Sequence, residues 1–440
     1  MVRMLKLCAV MLLAFISVSA MAEETTVLSF NAKKGDVNGG FTALVAVSAA
    51  PAPQEDLPFA LTDGQGRRYE GVIPAGKTGT DVSIATDVVT SAQTMELTFE
   101  SNKSAQIKNN AKYSLRVLEL PSVSFYQRVN LGYVGNKMTV SVICNNSRTV
   151  LASNNIFQLR DQMGVVLAEK AWKSPSQRLN FQFMATPELE GRHDFSVWLG
   201  DYCVSETEFG SITDASRKVI QKISTEQPFM SITIDCNWYN SHADEILDVL
   251  DKYGVRCTFF MTGNYLRLFP ETALEIKARG HEIGNHSNTH MRQSTLGEYT
   301  RMKELLIPVA EAERVLHIHP RLFRPPYGDF SKQTTAIARG AGMELCLWTI
   351  DSRDWDPNLQ TAPQTIIRRA KKNVTPGTIV LFHMDGYNTA QILDEVIPYY
   401  QNELGLKCIP VTELMALEGY ELPPVPENVN DALLTIDEKS

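Results

Sequence analysis

The stretch GHEIGNHSNTH, Gly280 to His290, places two histidines four residues apart directly after an apolar, β-prone segment. On a helical turn residues i and i+4 share a face, so the spacing predicts that the His286 and His290 imidazoles converge on one divalent metal ion. A lone HxxxH is weak evidence, because single histidines are more often exposed or satisfied inside a core. Its weight comes from the company it keeps, since further polar clusters occur at strand ends in the same half of the chain.

Outward from this stretch, strands alternate with helices between Gln227 and about Tyr420. Met230 to Asp235 is followed by Ala243 to Tyr253, Arg256 to Thr262 by Pro270 to Arg279, and His281 to Asn285 by a long helix containing Pro308. Strands are then expected at Leu322 to Arg324, Glu344 to Asp351, Thr378 to His383 and Leu406 to Val411. Ile246, Leu250 and Tyr253 form an apolar helical stripe, and Gly254 and Gly280 stand where helices should stop. Such alternation predicts a parallel sheet closed into a barrel, with its active site at the carboxyl ends of the strands.

Five clusters fall at those ends: TIDCNW around Asp235, HSNTH from His286 to His290, RPPYG from Arg324 to Gly328, DSRDW from Asp351 to Trp355, and IVLFH ending at His383. In these ordered motifs, and in the connecting TFFMTGNYLRLFPETALEIKARGHEIGNH, residues 226–420 resemble the polysaccharide deacetylases of the NodB homology type, carbohydrate esterase family 4. The resemblance implies a distorted (β/α) barrel of fewer than eight strands that hydrolyses N-acetyl or O-acetyl groups on polysaccharides.

It also implies roles. Asp235 matches the catalytic base, and His383 the acid that protonates the leaving amine or alkoxide. Arg324 matches the arginine that keeps the base ionised by pairing with it. Asp354 matches the carboxylate that orients the histidine, with Asp351 as an alternative at the same strand end. Trp355 would wall the acetyl pocket, and Tyr327 would turn its backbone amide toward the oxyanion. The implied cofactor is a divalent ion held by His286 and His290, with zinc expected; ligand type alone does not separate it from other divalent metals. One position departs from the family pattern. The usual second aspartate, a metal ligand, is replaced by Cys236, followed by Asn237. A Cys236 thiolate, an Asn237 amide oxygen or water could supply the third ligand, and Cys236 could equally be a small buried apolar residue.

Residues 23 to about 215 read differently. Short β-prone runs at Phe41 to Val47, Met95 to Phe99, Tyr113 to Leu118, Met138 to Ile143 and Phe195 to Leu199 are separated by turn signals such as Asn38-Gly39-Gly40 and Asp63-Gly64. They predict two β-sandwich-like modules, 23–120 and 121–215, that hold His193 and no catalytic constellation. The fold expected overall is therefore multidomain: β-sandwich-like N-terminal modules plus a C-terminal α/β distorted (β/α) barrel at 226–420, then a polar tail at 421–440. Since all five clusters follow Asp214, a fragment starting there is expected to fold and act alone.

Arg3 and Lys6 precede an apolar run from Leu7 to Val18 and the small residues Ala20-Met21-Ala22, the pattern of a secretory signal peptide over 1–22. Export to a periplasmic, cell-surface or extracellular site is expected, with no transmembrane anchor. A net charge of −8 offers no support for nucleic-acid binding. Of seven cysteines, Cys144 and Cys203 could bridge two strands or remain separate thiols. The sequence thus points to an exported metal-dependent deacetylase whose partner is an acetylated polysaccharide or peptidoglycan. The competing reading is a non-catalytic glycan-binding protein with a degenerate metal site.

Overall fold

The strand Thr42–Ala50 alternates small apolar residues with exposed ones, and Ala43, Val45, Val47 and Ala49 point into a core while their neighbours do not. In the computed structural model, which describes residues 25–31, 35–108, 111–145, 156–171 and 178–426, this strand pairs antiparallel with Gly79–Ala85 and Val27–Phe30. The expected signal peptide and most of the expected C-terminal tail lie outside the described residues. A second sheet runs Gly35–Asn38, Lys112–Leu118, Gln93–Phe99, Leu57–Thr62, Arg68–Ile73. Leu28, Val45, Val47, Phe59, Leu61, Ile84, Leu97 and Leu115 form one core between the two sheets, a β-sandwich.

The next module carries the antiparallel pair Lys137–Cys144 and Arg178–Met184 and a second sheet ordered Val129–Tyr133, Glu208–Thr213, Gly191–Leu199, Ile156–Arg160, Val166–Ala171. Val129–Tyr133 runs parallel to Glu208–Thr213, while Gly191–Leu199 pairs antiparallel with both Glu208–Thr213 and Ile156–Arg160. No disulfide forms among the described cysteines. Among the described residues no helix is long and apolar enough to cross a membrane.

The barrel follows. Its strands are β1 (Phe229–Cys236), β2 (Thr258–Met261), β3 (Glu282–Asn285), β4 (Leu322–Phe323), β5 (Glu344–Leu345), β6 (Ile350–Asp351), β7 (Ile379–His383) and β8 (Lys407–Cys408). Its helices are α1 (Ala243–Lys252), α2 (Gly263–Leu268), α3 (Pro270–Ala278), α4 (Glu298–Leu316), α5 (Lys332–Gly340), α6 (Pro363–Lys371), α7 (Thr389–Pro398) and α8 (Val411–Ala416). The sheet is parallel, in the order β5-β4-β3-β2-β1-β7-β6, with β8 beside the start of β1. Along β1, Ile232, Ile234 and Cys236 pack outward with Ile246, Leu247 and Leu250 of α1. Ser231, Thr233 and Asp235 take the opposite face, inside the barrel, because side chains alternate along a strand.

Two expectations need correction. The single strand expected over Glu344 to Asp351 is two short ones, and the sheet has eight strand segments among the described residues rather than fewer than eight. The cause is topological: β5 pairs with β4 and β6 with β7, so the chain between them must cross from one end of the open sheet to the other. The segment around Ile220 fills that gap. Its amide donates to Leu345 O at 3.0 Å, and Leu347 N donates back to Ile220 O at 2.7 Å. Ile223 N donates to Gly377 O at 3.0 Å, and a Cβ at Gly377 would come within 1.8 Å of Ile223 O, so only glycine permits this closure.

The second β-module is not a detached spacer. Val129 and Phe209 belong to one apolar cluster with Met302, Leu305, Leu306 and Val309 of α4 and Ile337 of α5. Ser211 Oγ donates to Ala336 O at 2.7 Å, and a Cβ on Gly340 would meet Ser211 Oγ at 2.4 Å. Removing the module therefore uncovers an apolar face of α4 and α5. A fragment starting at Asp214 should be less stable and more prone to aggregate than one starting near Pro121, as thermal melts and light scattering will show. Phe209→Ala should cost about 3–5 kcal/mol in denaturant titrations. A loss under about 1 kcal/mol would make the contact incidental.

Candidate active site

Asp235 sits at the carboxyl end of β1, inside the barrel and 2% exposed. Its Oδ1 accepts from Arg324 Nη1 at 2.8 Å, and its Oδ2 lies 3.3 Å from His286 Nε2. Burial would raise the Asp235 pKa, but His286, Arg324 and His383 together hold it below the ordinary carboxylate value. Arg324, fully buried, is not a surface ion pair. It also donates to Thr233 Oγ1 at 2.9 Å, to Cys346 O at 3.2 Å and to Leu347 O at 2.9 Å, and its guanidinium lies 4.0 Å from the Phe260 ring centroid.

The two histidines do converge, with ring centroids 5.0 Å apart, but not on a helix. After β3 the chain makes an irregular turn with φ of 67° at Ser287 and 61° at His290. Left-handed backbone at these non-glycine residues has to be held by surrounding bonds. Asn285 Oδ1 accepts from Ser287 N at 2.8 Å, Ser287 Oγ accepts from His290 N at 3.1 Å, and Glu304 of α4 accepts from Thr289 N and Oγ1 at 2.9 and 2.7 Å. Asn285 Nδ2 in turn donates to Leu305 O at 2.7 Å. Asn285 and Glu304 were missed in the sequence. A helical reading of HxxxH needs neither, and nothing in the spacing ties Glu304 to the turn.

His286 Nδ1 lies 2.8 Å from Arg324 O. A carbonyl only accepts, so the proton is on Nδ1 and the Nε2 lone pair faces Asp235 Oδ2. Burial keeps His286 below its ordinary pKa against the pull of Asp235, and burial, followed by the nearby His286, lowers His290 to about 3. Two neutral imidazoles beside a carboxylate are a donor set for a divalent cation, with the second nitrogen of His286 anchored as a metal ligand requires. Among the described residues no three His, Cys, Asp or Glu side chains are gathered into a shell.

Cys236 packs as an apolar residue. It follows Asp235 on the strand, points to the opposite face, is fully buried, and packs in the apolar cluster with Ile234, Ile246 and Tyr265. Burial, then the nearby Asp235, pushes its thiol well above the ordinary value. This packing matches the other reading of Cys236, a small buried apolar residue. Asn237 is 7% exposed, and its Oδ1 is buried without a hydrogen-bond partner.

On the other side, β7 ends at His383, which pairs in register with Asp235, so both side chains face the interior. His383 Nδ1 lies 2.8 Å from Asp354 Oδ1, while Asp354 Oδ2 accepts from His383 N and Thr389 Oγ1, each at 2.8 Å. Burial alone would lower the His383 pKa, but Asp354 outweighs it and raises the value to about 9. Between the two candidate aspartates the geometry is decisive. Asp351 Oδ1 instead accepts from Arg353 N at 2.8 Å and Trp355 Nε1 at 3.3 Å. Gly386 also serves the pair, since a Cβ there would lie 2.3 Å from Asp354 Oδ2. Asp385, likewise missed, lies two residues beyond His383, its pKa raised by burial against the pull of that histidine.

Tyr327 and Trp355 are exposed at the barrel mouth. Tyr327 has φ 61°, and its ring centroid lies 4.8 Å from that of His290. The Arg292 guanidinium covers the same ring at 4.3 Å. Trp355 carries the Arg353 guanidinium 5.5 Å from its ring centroid.

Comparison with known proteins points to one family. Residues 222–346 match the family model described as polysaccharide deacetylase. YlxY of Bacillus subtilis, an uncharacterized protein, is 32% identical over 196 residues, 44% of this chain and 60% of the relative. Peptidoglycan-N-acetylmuramic acid deacetylase PdaC of B. subtilis is 28% identical over 195 residues, covering 44% of this chain and 40% of that protein. Peptidoglycan-N-acetylglucosamine deacetylase of Bacillus cereus is 29% identical over 203 residues, covering 45% and 92% respectively. The chain thus spans about 60% of YlxY and less than half of PdaC. A solved structure of a CE4 family pseudoenzyme from Bacillus anthracis is 29% identical, covers 48% of this chain and 75% of its own, and superposes with a TM-score of 0.43. The family-model match and the five motifs at the strand ends thus assign residues 222–346, the larger part of the barrel, to the polysaccharide deacetylase family model.

Proposed function

We propose that this chain is an exported, metal-dependent hydrolase that removes acetyl groups from the amide nitrogens of cell-wall or other extracellular polysaccharide. The observation that carries the proposal is the opposed pair at the ends of β1 and β7, an ionised Asp235 in register with a protonated His383. Export rests on the basic and apolar pattern of residues 3–22. The substrate class rests on relatives named as peptidoglycan and chitooligosaccharide deacetylases.

In this reading His286 and His290 hold the divalent ion, with zinc expected. When bound, it polarises the acetyl carbonyl and acidifies an attacking water. Asp235 accepts that water's proton at its carboxylate. Arg324 keeps the carboxylate ionised and fixed, so that its pKa does not climb with burial. His383 delivers a proton from Nε2 to the leaving nitrogen, while Asp354 holds Nδ1–H and keeps the ring cationic. Tyr327 and Trp355 flank the acetyl group. The same groups would serve an ester, with an alkoxide leaving in place of an amine. The family's second aspartate is absent, which favours a second reading, a glycan-binding protein that has kept the barrel without turnover.

Three outcomes test the proposal. Asp235→Asn and His383→Ala should each lower acetate release from acetylated oligosaccharides about 10²-fold or more while leaving glycan binding near wild type. Equal release in wild type and both variants, with metal supplied, would favour the binding protein. The kcat/KM profile should fall as pH rises through about 9, where His383 loses its proton. In Asp354→Asn that basic limb should move to lower pH, because burial is then opposed only by the smaller pull of Asp235 and Asp385; an unmoved limb would assign it to another group. Arg324→Met leaves Asp235 buried without its cation and should cost about 3–5 kcal/mol in denaturant titrations.

A further inference from the structure

In the proposed deacetylase site the two histidines are held by different means. His286 is fixed twice, its amide donating to Met261 O at 2.9 Å and its Nδ1 to Arg324 O at 2.8 Å. Among the described residues no hydrogen bond reaches the His290 ring, so its place is set by the backbone of the turn and by packing beside His286 and Tyr327. We infer that Glu304 of α4 is a positioning residue for His290, acting through Thr289, and that the second β-module supports it by packing on the same helix. The inference rests on the metal-binding reading of His286 and His290.

Three features carry it. His290 has φ 61°, and left-handed backbone at a non-glycine residue persists only where its surroundings hold it. Gly263 and Asn264 hold the first part of the turn, donating to Ser287 O and Asn288 O at 3.0 and 3.1 Å. Thr289, immediately before His290, is held from α4 instead. One Glu304 oxygen accepts from Thr289 N at 2.9 Å and the other from Thr289 Oγ1 at 2.7 Å. Glu304 is 5% exposed and forms no ion pair among the described residues, so a carboxylate that is costly to bury has this turn as its partner. The helix itself is adapted at this point. Pro308 has no N–H to give Glu304 O, so α4 lacks one of its own bonds there and depends more on packing. The adjacent Leu305 O accepts from Asn285 Nδ2 at 2.7 Å, a second tie from α4 to the start of the turn. Met302, Leu305, Leu306 and Val309 of the same helical segment pack with Val129 and Phe209 of the second β-module. Contact thus runs without a break from Phe209 through α4 and Glu304 to the residue before His290.

The test follows the histidine ring resonances of the metal-free full chain by nitrogen NMR, and zinc affinity by titration calorimetry, with melting curves as the control for folding. Glu304→Ala should shift the His290 ring resonances, leave those of His286 near wild type and weaken zinc binding about 10-fold. Glu304→Gln, which keeps one acceptor oxygen for Thr289, should do the same to a smaller degree and serves if the alanine variant does not fold. Phe209→Ala should shift the His290 resonances in the same direction. The inference is overturned if the folded Glu304 variants leave the His290 resonances at their wild-type positions, or move those of His286 equally, which would make Glu304 a support of the barrel at large. It is also overturned if they bind zinc as wild type does while His290→Ala weakens binding. The part played by the second β-module fails if Phe209→Ala lowers the melting temperature and leaves His290 unmoved. If His286→Ala and His290→Ala both leave zinc binding unchanged, it is the metal-binding reading that fails.

Discussion

The site depends on one buried ion pair, Arg324 with Asp235. The side chain of Arg324 reaches from the end of β4 across the barrel to β1, and its remaining donors are taken up by Thr233 and by the carbonyls of Cys346 and Leu347 beyond β5. Its own carbonyl meets His286 Nδ1. One residue therefore holds the carboxylate with its guanidinium and the imidazole with its main chain. A buried charge pair is weak evidence of stability by itself, because desolvation opposes the Coulomb attraction. Here the guanidinium is nearly saturated with acceptors and stacked on Phe260, which is what makes the burial tolerable. A lysine has one charged centre and no planar fork, and could not make these contacts together.

The second half of the site is built on the same logic with the opposite sign. Asp354, fully buried, accepts from the backbone and ring of His383, from Thr389 and from Ser352. Those bonds fix the carboxylate against the ring, and its charge raises the His383 pKa against the effect of burial. The two catalytic candidates thus sit on adjacent strands with opposite charges, each maintained by a partner of its own. That division is the pattern by which a fold separates a base from an acid.

Around this centre the barrel is finished by residues beyond the matched family segment. Ile220 bridges Cys346 across the seam of the sheet, and the module containing Phe209 covers α4 and α5. Since α4 supplies Glu304, which pins the histidine turn, packing on its outer face bears indirectly on the geometry within.

The sequence by itself determined the alternation of strands and helices, the β-structure before it, and the residues that meet at the strand ends. Those properties are written in local periodicity and in motif order, which a linear reading captures. Asp235, Arg324, His383 and Asp354 are brought together, and they were legible because each ends a strand or follows one. What only the tertiary structure decided was orientation. His286 and His290 converge through a left-handed turn held by Asn285 and Glu304 rather than through a helix, because the bonds that hold the turn come from distant residues. Cys236 follows Asp235 in sequence, and nothing in its identity says whether it packs in the core or lines the site. The packing of β1 decides it, setting the thiol among Ile234, Ile246 and Tyr265.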